Sequence, residues 1–274
     1  MVSIRDALCE GIALLENTSP SPALDAELLL YYVSSMSRLE LIVRRDEPLE
    51  NYDLYISLIH RRQKGEPIAY LTGEKEFMSL PFRVSPAVLI PRPDTETLAE
   101  WAISHIKNHK VLDIGTGSGC LAVSVKHYCP QAEVHALDVS EAALKLAREN
   151  AEKNHAEVHF FACNILAEPL PEAYDFILSN PPYITKEEIE ALDTDVKDFE
   201  PHLALFGGDD GLDFYRIIAK KAYAALNPKG YLAVEIGWLQ EEAVTELFTA
   251  CGFQQVTTLY DLAENPRVIL GKKE

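Results

Sequence analysis

The double proline Pro181-Pro182 constrains this chain more than any other feature of it. It follows directly on an apolar run, Tyr174 to Ser179, that reads as a buried strand. A proline cannot donate a ladder hydrogen bond, so no sheet continues through two in succession. The backbone is therefore held as a stiff, extended turn just past the carboxyl end of a strand, where open α/β sheets hold their ligands. With its neighbours the pair reads Asn180-Pro181-Pro182-Tyr183. A carboxamide, proline carbonyls and an aromatic ring in one geometry suit a planar, uncharged NH2 group, with acceptors in its plane and a ring on its face. The plainer alternative is a tight turn with a capping Asn, since Asn-Pro commonly initiates turns.

Around that turn, strand and helix patterns alternate. Strands are expected at Val111–Ile114, Glu133–Leu137, Val158–Ala162, Tyr174–Ser179, Tyr231–Ile236, Phe253–Tyr260 and Val268–Leu270. Helices are expected over Cys120–Tyr128, Ser140–Lys153, Leu212–Leu226 and Leu239–Ala250. Such alternation makes a mostly parallel sheet with helices on both faces. Ahead of it, Ser3 to about Leu71 reads as helical. Leu24, Leu28, Tyr31 and Tyr32 recur at helical spacing after a Ser21-Pro22 start, and Leu54, Leu58 and Ile59 repeat the pattern up to a Gly65-Glu66-Pro67 stop. Both stripes are expected to be core. Short β-like pieces between Phe77 and Val84, broken at Leu80-Pro81, suggest a hairpin or linker. The expected organisation is a small all-helical domain at 1–75, a linker or hairpin at 76–88 and an α/β domain at 89–274. The segment Lys186–Asp213 is long for a compact domain, which makes it either a binding loop or a mobile acidic surface.

The net charge of -18 argues against a broad electrostatic grip on nucleic acid. Arg44-Arg45 and Arg61-Arg62-Gln63-Lys64 are the dense basic spots, and solvated helix faces account for them. No apolar stretch is long enough to span a membrane, and the N-terminus lacks the pattern of a secretory signal. The five cysteines make no Cys-x-x-Cys and no zinc spacing, so no metal is expected. Cys120 and Cys163 read as buried thiols, and a reducing cytoplasm fits.

Gly115-Thr116-Gly117-Ser118-Gly119 lies between the first strand and a helix, where a ligand can approach the backbone closely. Its spacing is not the dinucleotide Gly-x-Gly-x-x-Gly, and no Lys-Ser/Thr follows as in a P-loop. Asp138 ends the next strand, where an acid accepts both hydroxyls of an adenosine ribose. The alternative for Asp138 is a helix N-cap, a role that Ser140 fills better. A glycine turn with that acid satisfies either NAD or S-adenosyl-L-methionine. The Asn-Pro-Pro-Tyr corner favours the second, because methyl transfer to a nitrogen gives a reason for it and hydride transfer does not.

Asp113 to Gly119 resembles the first motif of class I S-adenosylmethionine-dependent methyltransferases, and Asn180 to Tyr183 resembles the signature of those that methylate glutamine, adenine or guanine nitrogens. Gly65 to Gly73, Phe77 and Leu89-Ile90-Pro91-Arg92-Pro93-Asp94-Thr95-Glu96 are similar to the protein-(glutamine-N5) methyltransferases of peptide chain release factors, as is Asp25 to Leu30. The resemblance covers nearly the whole chain. It implies a seven-stranded Rossmann-like methyltransferase domain with its last strand antiparallel, preceded by a small all-helical domain that helps dock the release factor. The implied substrate is the glutamine of a Gly-Gly-Gln loop. Gly115, Thr116, Gly117, Ser118 and Gly119 would cradle the methionine part of the cofactor, Asp138 the ribose, and Asn164 and Ile165 the adenine. Asn164 departs from the family's usual Asp. Asn180, Pro181, Pro182 and Tyr183 would hold the substrate amide, with Asn180, Pro181 and Tyr183 the catalytic set and Asn180 also beside the cofactor. The rival within enzymes is a nucleic-acid N-methyltransferase, which would need a flipped base and a basic path that this chain lacks. A cofactor-binding scaffold without turnover is the rival outside catalysis.

Overall fold

The computed structural model describes residues 2–171 and 173–274, and the chain divides into two compact units. The first comprises Met1–Glu74 and Asp193–Phe199. Its helices are α1 (Ile4–Leu15), α2 (Pro22–Ser34), α3 (Arg38–Val43), α4 (Tyr52–Gln63) and α5 (Ile68–Thr72). Three of these starts have a clear local cause. The Ser3 hydroxyl accepts from the Asp6 N–H, Pro22 opens α2, and Ser37 with Glu40 forms a reciprocal capping box at α3.

The core of this unit differs from the expected stripe. Leu24, Leu28 and Tyr32 are 53%, 37% and 48% exposed, whereas Ala26, Leu29, Leu30 and Val33 are buried. Because α2 is apolar on nearly every side, spacing alone does not choose its inward face. A polar pair chooses it. Asp25 is buried and accepts from Arg62 Nε at 2.7 Å, with both side chains 7% exposed. Arg62 is therefore not on a solvated face as its sequence context suggested, and its Nη1 also donates to the carbonyls of Gly65 and Glu66. Its neighbour Arg61 is exposed and pairs with Glu66. Leu58 and Ile59 are buried as expected, while Leu54 is exposed.

The second unit comprises Lys75–Leu192 and Glu200–Glu274. It opens with a hairpin of β1 (Glu74–Phe77) and β2 (Leu80–Arg83). The turn falls at Met78-Ser79, both with positive φ, rather than at Leu80-Pro81. Pro81 sits inside β2, which a two-stranded sheet tolerates because both strands are edges. A 3-10 turn at Pro93–Thr95 leads into α6 (Glu96–His105), a helix absent from the expected pattern. Then follow β3 (Lys110–Ile114), α7 (Cys120–Tyr128), β4 (Glu133–Asp138), α8 (Glu141–Lys153), β5 (Val158–Ala162) and β6 (Tyr174–Ser179). The long connection folds as α9 (Lys186–Ala191), then α10 (Thr194–Lys197), which belongs to the first unit, and then a 3-10 turn at His202–Ala204. The chain continues through α11 (Asp213–Ala225), β7 (Leu226–Glu235), α12 (Glu241–Ala250), β8 (Gln254–Tyr260) and β9 (Pro266–Lys272).

The main sheet has the order β5-β4-β3-β6-β7-β9-β8. Its first five strands in that order pair in parallel, and β9, the last in the chain, runs antiparallel to both neighbours. Separate apolar clusters pack around Val111, Phe176 and Leu178 and around Leu112, Ile177 and Val234. These neighbours alternate along β3 and β6, so they lie on opposite faces of the sheet. The strand order reverses between β3 and β6, which opens a crevice at their carboxyl ends. Among the described residues no helix is long and apolar enough to cross a membrane.

Candidate active site

The crevice holds a cavity of about 430 Å³, within the range of small-molecule sites. Gly115, Thr116, Gly117 and Ser118 form one side of it, Asp138 and Val139 the next, and Asn164 and Ile165 another. Asn180 and Pro182 complete the wall. Gly119, Pro181 and Tyr183 are not in the lining. Gly119 instead serves packing: a Cβ there would meet the Ala147 Cβ at 3.1 Å, and its φ of +81 ends the turn where α7 begins. Pro181 is buried.

The glycine turn is tied to the sheet by the N–H groups of Gly115 and Thr116, which both donate to the Leu137 carbonyl at 2.9 and 3.0 Å. Gly115 and Gly117 have positive φ, and a Cβ at either would enter open space. The backbone there faces the cavity with nothing over it, which is the approach a ligand needs. Asp138 Oδ2 accepts the Gly117 N–H at 2.9 Å and Oδ1 the Ser140 N–H at 2.9 Å, so the carboxylate is oriented by backbone. Ser140, not Asp138, caps α8 through the Ala143 N–H. Asp113 also lines the cavity, although the motif reading gave it no role. It is buried and accepts from Thr116 Oγ1 at 2.6 Å, and desolvation pushes its carboxyl up to about 7. Two carboxyls, a bare backbone and the apolar walls of Val139, Ile165 and Leu166 fit a sulfonium nucleoside: cation, ribose hydroxyls and a flat ring. Asn164 Oδ1 accepts the Leu166 N–H at 3.0 Å, which fixes its amide and directs its Nδ2 end away from that turn. Cys163 is buried and Cys120 is half-buried, and both line the cavity.

The acidic connection takes part in the site. Glu200, 3% exposed, accepts from the Ile90 N–H at 3.1 Å and from Arg92 Nη2 at 2.5 Å, and Pro201, Leu203 and Ala204 line the cavity. Gly207 packs on the backbone of the proline corner, where a Cβ would meet Tyr183 Cα at 2.6 Å.

Asn180 Nδ2 donates to Thr95 Oγ1 at 3.0 Å. At the end of β7 the Glu235 carboxyl lies beside Thr95, and the Tyr183 hydroxyl lies 3.5 Å from Glu235 Oε1. Glu235 is 2% exposed and desolvation pushes it up to about 7. Burial, with Glu235 beside it, also raises the Tyr183 phenol, so that side chain is neutral at physiological pH. Thr95 lies in the Pro-Arg-Pro-Asp-Thr-Glu segment that carries the family resemblance, which gave this residue no role of its own. Nothing in the strand context of Glu235 signals a role.

Fold and crevice together define a Rossmann-like class I methyltransferase. A methyltransferase from Pyrococcus furiosus shares that fold, with a TM-score of 0.56, 20% identity, and coverage of 73% of this chain and 91% of that one. Residues 94–197 match the family described as methyltransferase small domain, and residues 6–73 match the PrmC N-terminal domain. The release factor glutamine methyltransferase of Geobacter sulfurreducens is 42% identical over 263 residues, covering 94% of this chain and 92% of that protein. That of Salmonella typhimurium is 40% identical over 259 residues, 93% of each. This chain belongs to the release factor glutamine methyltransferase family.

Proposed function

We infer that the chain transfers a methyl group from S-adenosyl-L-methionine to the side-chain amide nitrogen of the glutamine in the Gly-Gly-Gln loop of peptide chain release factors. The observation that supports this reading is that Asn180 and Pro182 line the same cavity as the glycine turn and Asp138. S-adenosyl-L-methionine supplies an already activated methyl group, so no covalent enzyme intermediate is needed. Gly115 to Ser118 lie along its methionine part, Asp138 holds its ribose hydroxyls, and Asn164 and Ile165 flank its adenine. Asn180 Oδ1 and the Pro181 backbone carbonyl each accept one N–H of the substrate amide and turn its nitrogen toward the donor. As positive charge builds on that nitrogen, the same preorganised acceptors stabilise it. Tyr183 walls the amide and excludes water.

The helical unit is the docking surface in this reading. Leu24, Leu28 and Tyr32 on α2 and Leu39, Ile42 and Val43 on α3 are all exposed, which leaves large apolar side chains open to a protein partner. The charge of -18 favours a protein substrate over direct nucleic-acid binding. Five free thiols suit the cytoplasm.

Mass spectrometry of a release-factor digest after incubation with enzyme and cofactor is expected to show one added methyl on the loop glutamine. Asn180→Ala is expected to lower kcat by about 10²–10³ with little change in cofactor affinity. An unmodified loop, or an Asn180→Ala variant with normal turnover, contradicts the assignment.

A further inference from the structure

We propose that Gln240 is a positioning residue for methyl transfer, because its carboxamide fastens the Tyr183 carbonyl, at the close of the proline corner, to the end of β7 and the approach to α11. The proposal rests on the reading of that corner as the holder of the substrate amide. Gln240 lies outside every motif read from the sequence and outside the cavity lining.

Pro181 and Pro182 have no N–H, so the corner cannot bond itself into a sheet or a turn through them. Where the corner begins it is held by β6, which pairs with β7 as far as Ser179. Beyond the prolines it must be held from outside. Gln240 Nε2 donates to the Tyr183 carbonyl at 3.1 Å and to the Gly211 carbonyl at 3.3 Å. Its Oε1 accepts from the Gly237 N–H at 3.0 Å, and the Tyr215 hydroxyl lies 3.2 Å from the same oxygen. A carboxamide has two N–H donors and two acceptor lone pairs, and here each has a partner. Three of the four partners are backbone groups, and a backbone N–H only donates while a carbonyl only accepts. The amide is therefore locked in one orientation, since reversing it breaks all three backbone bonds.

Nothing local explains a glutamine at this position. Gln240 is the N-cap of α12, where Ser, Thr, Asp or Asn is preferred, and its side chain makes no capping bond to that helix. Glycines surround its amide instead. A Cβ on Gly237 would meet Gln240 Oε1 at 3.0 Å, and one on Gly211 would meet Nε2 at 2.7 Å. The space beside the corner thus admits one carboxamide and no further side chain. The buried Tyr215 hydroxyl, shared between Oε1 and the Glu235 carbonyl at 3.0 Å, links the same amide back to β7.

The test uses the full chain with an intact release factor and saturating S-adenosyl-L-methionine, and kcat is expressed per site counted by cofactor titration. Gln240→Met keeps the length of the side chain and removes its polar bonds. It is expected to lower kcat per site by about 10-fold to 10²-fold, the cost of displacing a positioning element by up to about 1 Å. The KM for release factor and the cofactor Kd are expected to stay within about 3-fold. Gln240→Glu keeps the shape and the bond from Gly237 but takes the two N–H donors away from the Tyr183 and Gly211 carbonyls. It is expected to lower kcat per site by at least about 10-fold. A residue that only steadies the fold would lower the number of sites or the thermal unfolding midpoint and leave kcat per site unchanged. A kcat per site within about 3-fold of wild type in either variant therefore overturns the proposal, as does a loss confined to cofactor affinity. The Glu variant keeps the test decisive if Met impairs folding. Normal turnover in Asn180→Ala would instead remove the reading beneath the proposal, so the two failures are told apart.

Discussion

Replacing Gly207 by alanine is expected to slow methyl transfer without touching the cofactor. Gly207 lies outside the cavity lining, and its backbone carries no positive φ, so alanine is conformationally permitted there. The consequence is steric alone. An added Cβ would stand 2.6 Å from Tyr183 Cα, 2.8 Å from the Pro182 carbonyl oxygen and 2.8 Å from Tyr183 C. Carbon atoms in contact rest about 3.5–4.0 Å apart, so one backbone must retreat by about 1 Å. Gly207 has little freedom to do so, because its N–H donates to the Ile184 carbonyl at 2.9 Å and its own carbonyl accepts from the Asp213 N–H at 3.1 Å. The proline corner moves instead. A displacement of about 1 Å in a positioning element costs about 10²-fold in rate. Overpacking of this kind also costs about 1–3 kcal/mol of stability. Steady-state methylation of a release factor, calorimetric titration of S-adenosyl-L-methionine and thermal unfolding read the three quantities separately. A kcat within about 3-fold of wild type would show that the position of the corner does not control the reaction.

Further outcomes follow from burial and charge. Arg62→Met leaves the Asp25 charge buried with only the Ser19 and Ser21 hydroxyls, at 2.7 and 3.2 Å, and is expected to cost about 3 kcal/mol in urea unfolding. The double variant Asp25→Leu/Arg62→Met is expected to regain most of that loss; a single variant within about 1 kcal/mol of wild type would mean the pair is solvated. Asp113 and Glu235 both have folded pKa values raised to about 7. Their contribution to stability is therefore complete below the ordinary carboxylate value of about 4 and is lost as pH rises through about 7. Denaturant midpoints of the cofactor-free protein from pH 5 to pH 8 are expected to fall with this sign, and less steeply in Asp113→Asn; an unchanged slope in that variant would place Asp113 in water.

Much of this molecule was legible before any coordinates. The strand-to-helix glycine turn, the acid ending the next strand and the proline corner are local features, each set by a few consecutive residues with restricted backbone choices. The same holds for the alternation that makes a parallel sheet. What escaped was settled at a distance. The inward face of α2 was misjudged because its sequence is apolar all round, and the Asp25–Arg62 pair, not hydrophobic spacing, sets its rotation. The α6 helix was missed although Leu98, Ala99 and Ala102 mark its buried face. Gly119 looked like part of the cofactor cradle but packs on Ala147, a contact that exists only once α7 and α8 lie side by side.

The chain by itself determined the class of fold, the glycine turn and the proline corner, because each is encoded in contiguous residues whose φ and hydrogen-bonding options are few. The tertiary structure alone decided that Asn180 meets Thr95 and that Tyr183 lies beside Glu235. They come from three separate segments. Strand order, with β6 between β3 and β7, places the ends of β6 and β7 side by side, and no local pattern in a sequence records which strand ends become neighbours.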